Sequence, residues 1–127
     1  DLHSFPTRRS SDLVVGCGRG FSRRDDEQRA AHQEAAEKAY QEAEKEIQSD
    51  RWDLIILDEI NYAVKFKLLE IDKVLSLIDQ KPPELHLVLT GRDAAPELIN
   101  RADLVTEMKL VKHPYQKGIK AQKGIEF

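Results

Sequence analysis

The sequence predicts an α/β fold, a parallel sheet flanked by helices. Two observations carry that expectation. Short apolar runs alternate with helix-like segments along the chain, which is the order of a parallel sheet. The runs are also continuous, as in "LIIL" at 54–57, the pattern of strands covered on both faces.

Taken in order, "LVVGCGRGF" at 13–21 reads as a strand ending in a loop with Gly16, Gly18 and Gly20. A long helix is expected from Asp25 to Ser49. Ala36, Tyr40, Ala43 and Ile47 give it one thin apolar stripe, suited to close packing on a flat partner such as a sheet. Asp25, Asp26 and Glu27 stand at its start, where the macrodipole favours negative charge. "LIIL" is the next strand. A turn and a helix follow, with Ile71, Val74, Leu75 and Ile78 as its face and Pro82-Pro83 as its stop. Leu85–Thr90 is a second buried strand ending at Gly91, and "DAAPELINRA" is a short helix with Pro96 in its first turn. "DLVTEMKLV" at 103–111 is a further strand candidate. The tail beyond it is irregular and rich in lysine, yet Ile119, Ile125 and Phe127 are spaced as if to be buried.

Composition narrows the classes. The 127 residues fit one domain or a piece of one, and 34% charged against 40% apolar residues suits a soluble chain with a modest core. A net charge of −3 argues against nucleic acid as a partner of the whole surface. Charge is uneven: 25–50 is acidic, whereas Lys109, Lys112, Lys117, Lys120 and Lys123 gather near the end. A single cysteine, Cys17, excludes an internal disulfide and a cysteine-based zinc site, so a reducing, cytoplasmic setting is expected. No apolar run approaches the roughly 20 residues of a bilayer span, and the opening arginines precede no apolar signal core.

Chemistry concentrates where strands end, since the ligand crevice of an open parallel sheet lies at the carboxyl ends. Asp58 and Glu59 follow "LIIL" directly and are candidates to hold Mg²⁺, a hard cation that takes carboxylate oxygen beside phosphate. Capping of the next helix is the competing use for the same pair. Thr90, Gly91 and Arg92 end the neighbouring strand, where arginine could reach a phosphate or a base. A plain turn with a solvated arginine fits the same letters. "GCGRGF" lacks the GxxxxGK[ST] pattern, and Cys17 is better read as a small buried residue than as a nucleophile. In the tail, lysines that include Lys112 and Lys120 could wrap a polyanion, with a solvated, frayed terminus as the competing reading, while His113 beside Pro114 is better read as structural than as a ligand.

"LDEINYAVKFKLLEIDKVLSLI", "HLVLTGRDAAPELINRADLVTEMKLVKHPYQKGIKAQKGIEF" and "GRGF" together resemble the C-terminal half of the P-loop-type corrinoid adenosyltransferases, from Val14 to Phe127. The DE-x-NYA stretch and VKHP-x-x-x-GIKAQKGIE are highly specific to that family. The resemblance implies a P-loop NTPase-like nucleotide-binding sheet, a homodimer, and transfer of the 5′-deoxyadenosyl group of ATP to Co(I) of a corrinoid with release of triphosphate. It assigns Glu59, with Asp58 beside it, to Mg²⁺. Thr90, Gly91, Arg92, Lys112 and Lys120 are the residues expected to bind ATP or the corrinoid. Phe21 matches the phenylalanine of a GFTW motif whose aromatics pack beneath the corrin. "GFSRR" places Arg23 where the tryptophan of that motif stands, so half of the aromatic wedge is absent. The family's opening helix, strand and GNGKGKTTAA-like P-loop have no counterpart here.

"DLHSFPTRRSSDL", residues 1–13, sits where those early strands would stand and shares nothing with them. It resembles a translated sequencing adapter over all thirteen residues and is expected to be non-native and disordered, with 14–127 the C-terminal part of the nucleotide- and corrinoid-binding domain. Strands lost upstream would leave an unpaired edge and an uncovered apolar face. The chain alone is then expected to be inactive. Two other readings stand beside the transferase: a different P-loop hydrolase or kinase, and a non-catalytic nucleotide- or corrinoid-binding module.

Overall fold

A computed structural model describes residues 15–16 and 29–125. Gly18, Cys17, Phe21, Arg23, Phe127 and the segment 1–13 lie outside the described residues, as do the acidic residues expected to start the first helix. The architecture is mixed α/β. Its elements run α1 (Arg29–Gln48), β1 (Leu54–Leu57), α2 (Ile60–Lys65), α3 (Ile71–Gln80), β2 (His86–Leu89) and α4 (Pro96–Arg101), with a 3-10 turn at Pro114–Lys117.

The two strands are parallel and pair Leu54 with His86, Ile55 with Leu87, Ile56 with Val88 and Leu57 with Leu89. Because side chains alternate along a strand, this register puts Ile55, Leu57, Leu87 and Leu89 on one face. That face is where the helices pack. Ile47 of α1, Leu77 of α3 and Leu85 form one core cluster, with Tyr40, Ala43, Trp52, Ile55, Leu57 and Leu87 against it. Leu69, Val74 and Leu98 form a second, backed by Ala36, Tyr40 and Leu89. The small residues of the α1 stripe let it approach both α3 and the sheet.

The other face carries Leu54, Ile56 and Val88, which are 51%, 57% and 41% exposed. The expectation of strands covered on both faces is therefore corrected: α1 and α3 share one side, and no described element covers the other.

A second correction concerns 103–111, which forms no strand. A strand exists only through its partner's hydrogen bonds, and no described strand other than β1 and β2 offers them. Leu104, Met108 and Val111 stand almost fully exposed. The tail likewise buries little, since Ile119 and Ile125 are exposed rather than packed. A third difference is α2. The turn after β1 contains a six-residue helix of its own, separated from α3 by a left-handed Lys67. The α1 side chains Arg29 and Gln33 hold that turn by donating to the carbonyls of Phe66 and Lys67.

Where α1 ends, Ser49 donates its hydroxyl to the Glu46 carbonyl at 2.7 Å, and left-handed Asp50 turns the chain toward β1. Glu46 itself is buried. Its carboxylate accepts from the Trp52 indole N–H and, at 2.8 and 2.7 Å, from the Arg51 guanidinium. Those donors, the indole first, hold the carboxyl below its ordinary value. A carboxyl so depressed stabilises the fold above the ordinary glutamate value and loses that contribution as pH falls through its folded pKa. The urea midpoint is expected to drop on acidification more steeply in the wild type than in Glu46→Gln. Parallel pH profiles of the two proteins would show Glu46 to be irrelevant.

Candidate functional site

Parallel pairing brings the ends of β1 and β2 out side by side, and the ladder continues one step further through Thr90 N–H to the Leu57 carbonyl at 3.2 Å. Asp58 and Glu59 leave one strand there; Thr90, Gly91 and Arg92 leave the other. The structure brings these five sequence-predicted residues together at the carboxyl edge. Their mutual bonds are specific. The Thr90 hydroxyl donates to Asp58 Oδ1 at 2.7 Å and accepts the Glu59 backbone N–H at 3.0 Å.

Glu59 occupies the cap position of α2 with φ 59°, yet its side chain accepts no hydrogen bond from the helix. The pair of carboxylates is therefore not consumed in capping, the competing use of an acidic pair before a helix. Both residues are exposed. Among the described residues no group of three or more His, Cys, Asp or Glu side chains is placed to hold a metal. Two carboxylates suit Mg²⁺ in particular, which keeps several waters and fills its shell with substrate phosphate. Asp58 retains one oxygen, and Glu59 both, free of hydrogen bonds to described residues, so the donor set fits that ion.

Gly91 has φ +127°, and a Cβ there would lie 2.9 Å from Asn61 Cβ. Only glycine allows this approach of β2 to α2. Asn61 is the residue that sequence reasoning passed over. It is buried, and its N–H donates to the Thr90 carbonyl at 3.2 Å. The one signal for it was its place within DE-x-NYA.

Beyond Arg92, which is exposed, Asp93 is left-handed and pairs with Lys65 of α2. Lys65 holds the Asp93 carboxyl below its ordinary value, chiefly by hydrogen bonding. On the same helix end the Tyr62 and Phe66 rings pack with centroids 4.2 Å apart and planes tilted by 38°.

Lys112 and Lys120 are not drawn into this cluster by any hydrogen bond or ion pair with another described residue. Lys112 lines a separate hollow of about 300 Å³ with His113, Pro114, Lys117 and Ile119. His113 is used locally, its Nδ1 accepting the Tyr115 N–H at 3.1 Å. A cleft of about 210 Å³ beside Glu46, Trp52 and Leu85 lies at the opposite, amino end of the strands.

Comparison with known proteins points one way. Residues 8–127 match the family model of ATP:corrinoid adenosyltransferase BtuR/CobO/CobP. A corrinoid adenosyltransferase of Sinorhizobium sp. is 44% identical over 111 residues, covering 87% of this chain and 51% of that protein. One of Pseudomonas aeruginosa is 49% identical over 92 residues, covering 72% of this chain and 45% of its own length. One of Escherichia coli K12 is 29% identical over 103 residues, 81% of this chain and 53% of that protein. The chain spans about half the length of these curated relatives.

Proposed function

The chain belongs to the ATP:corrinoid adenosyltransferase family, and on that footing we propose that the protein transfers the 5′-deoxyadenosyl group of ATP to the Co(I) of a corrinoid. The lone pair of Co(I) attacks C5′, a cobalt–carbon bond forms, and the C5′–oxygen bond breaks with its electrons leaving on triphosphate. Co(I) is so strong a nucleophile that the protein need supply only alignment and relief of charge on the leaving group.

The observation that carries the reading is the clustered carboxyl edge, where an acidic pair and Thr90–Arg92 are tied across two strands. Asp58 and Glu59 would hold Mg²⁺, which supplies charge neutralisation on the triphosphate when bound. Gly91 lets the backbone come close to substrate, and Arg92 offers a planar, permanently charged donor to phosphate oxygen. Lys112 and Lys120 extend positive charge along the tail toward anionic parts of ATP or corrinoid. Phe21, by its match to the family motif, would supply an aromatic face to the corrin. The fold of the whole protein is P-loop NTPase-like, its state a homodimer, and its setting cytoplasmic. Among the described residues, no helix is long and apolar enough to cross a membrane.

A non-catalytic binding module is the second reading, favoured by Arg23, which stands where the resembled motif has tryptophan. A chimera separates the two. Residues 14–127 would be joined to the part of the Sinorhizobium relative that the chain does not span, then given reduced cobalamin and ATP. Transferase function predicts the visible spectrum of an alkylated corrinoid and one triphosphate released per turnover, with the chain alone inactive. A folded chimera that binds corrinoid without turnover would support the module.

A further inference from the structure

We infer that Thr90 is a positioning residue, whose hydroxyl locks the Asp58 carboxylate and the Glu59 backbone into the arrangement that grips a metal–nucleotide, and which does not itself touch the nucleotide. This rests on the nucleotide-site reading above.

The hydrogen-bond inventory of Thr90 carries the argument. A threonine hydroxyl has one proton and two lone pairs. The proton goes to Asp58 Oδ1 at 2.7 Å, and one lone pair takes the Glu59 N–H at 3.0 Å. The backbone is committed as well: N–H to the Leu57 carbonyl, carbonyl to the Asn61 N–H, each at 3.2 Å. One lone pair is left, and a phosphate oxygen, itself an acceptor, cannot use it. The hydroxyl proton is therefore spent on the protein, and no donor is left for a phosphate.

What it secures is costly to hold otherwise. Glu59 is left-handed at φ 59°, a conformation that a residue with a Cβ rarely adopts. Its N–H would be without an acceptor if the hydroxyl were absent. The bond to Oδ1 fixes the carboxylate of Asp58 with its second oxygen free. Residues 31 and 32 positions apart are thereby locked into one unit. Groups that orient a metal's carboxylate ligands in this way typically contribute about 10–100-fold to metal affinity.

Mn²⁺ serves as the probe for the test, counted by its paramagnetic resonance, with ATP as nucleotide and the full chain as protein. Thr90→Val keeps the shape and removes the hydroxyl; Thr90→Ser keeps the hydroxyl. Expected are a loss of about tenfold in affinity for Mn²⁺–ATP with Thr90→Val, retention with Thr90→Ser, and no change for ATP in EDTA with either. Should Thr90→Val fail to fold by circular dichroism, Thr90→Ala removes the hydroxyl with a smaller side chain and is expected to show the same metal-dependent loss. Equal loss with and without metal would mean that Thr90 contacts the nucleotide and would overturn the inference. So would unchanged Mn²⁺–ATP binding in folded Thr90→Val. Failure of the wild type to bind ATP under either condition would overturn the nucleotide-site reading, and the inference with it.

Discussion

Gly91→Ala is expected to destabilise the chain by about 3 kcal/mol, summing backbone strain and overpacking of roughly 1–3 kcal/mol each at the lower half of their ranges. Two separate costs meet at that residue. Its φ of +127° lies where an L side chain is strained whatever the space around it. The added Cβ would also stand 2.9 Å from Asn61 Cβ and 3.4 Å from the backbone nitrogens of Asn61 and Tyr62, at the start of α2. Neither neighbour is the end of a flexible chain, so α2 itself must move. Gly118→Ala is the control. Its φ is +77°, but nothing lies within 4 Å of the added carbon, so it is expected to lose only the conformational term of about 1 kcal/mol. Urea unfolding of the two variants checks the difference. Equal midpoints would mean that the close approach of β2 to α2 is not tight in solution.

The second large effect is chemical. Replacing Asp58 by Asn and Glu59 by Gln together is expected to lower kcat of the active chimera by on the order of 10²–10³-fold, the scale for losing charge stabilisation at a leaving group. Both substitutions preserve shape, and both residues are exposed, so stability should change little. The fall is expected in turnover with corrinoid binding kept, because the proposed function gives the carboxylates a role at the triphosphate and not at the corrin. A variant that binds corrinoid and turns over normally would remove the acidic pair from the mechanism.

How far the site could be read in advance depends on the range of the interactions that build it. β1 appears at Leu54–Leu57 and β2 at His86–Leu89, close to the apolar runs that announce them, because a short apolar run rich in branched side chains needs little beyond itself to be recognised. The α1 stripe and Pro96 in the first turn of α4 are local signals in the same sense. The run at 103–111 has equally good strand composition, yet stays unpaired. Composition permits a strand, but only a neighbour makes one. α2 was missed because six residues hold helix through tertiary ties, such as the Asn61 N–H to the Thr90 carbonyl, rather than through periodicity. Asp58, Glu59 and Thr90–Arg92 could each be picked out by standing at a strand's end. That Thr90 bonds to Asp58 and to the Glu59 backbone could not, since it depends on strand register.

Nucleotide bound at this carboxyl edge must be sensed by the amides around it. Backbone amide chemical shifts of the ¹⁵N-labelled chain, recorded as ATP and Mg²⁺ are added, test it most directly. The account predicts saturable shifts centred on Asp58–Tyr62 and Thr90–Asp93, with the amino-end cleft at Glu46, Trp52 and Leu85 unmoved. Shifts confined to that cleft, or none at all in a folded chain, would contradict it.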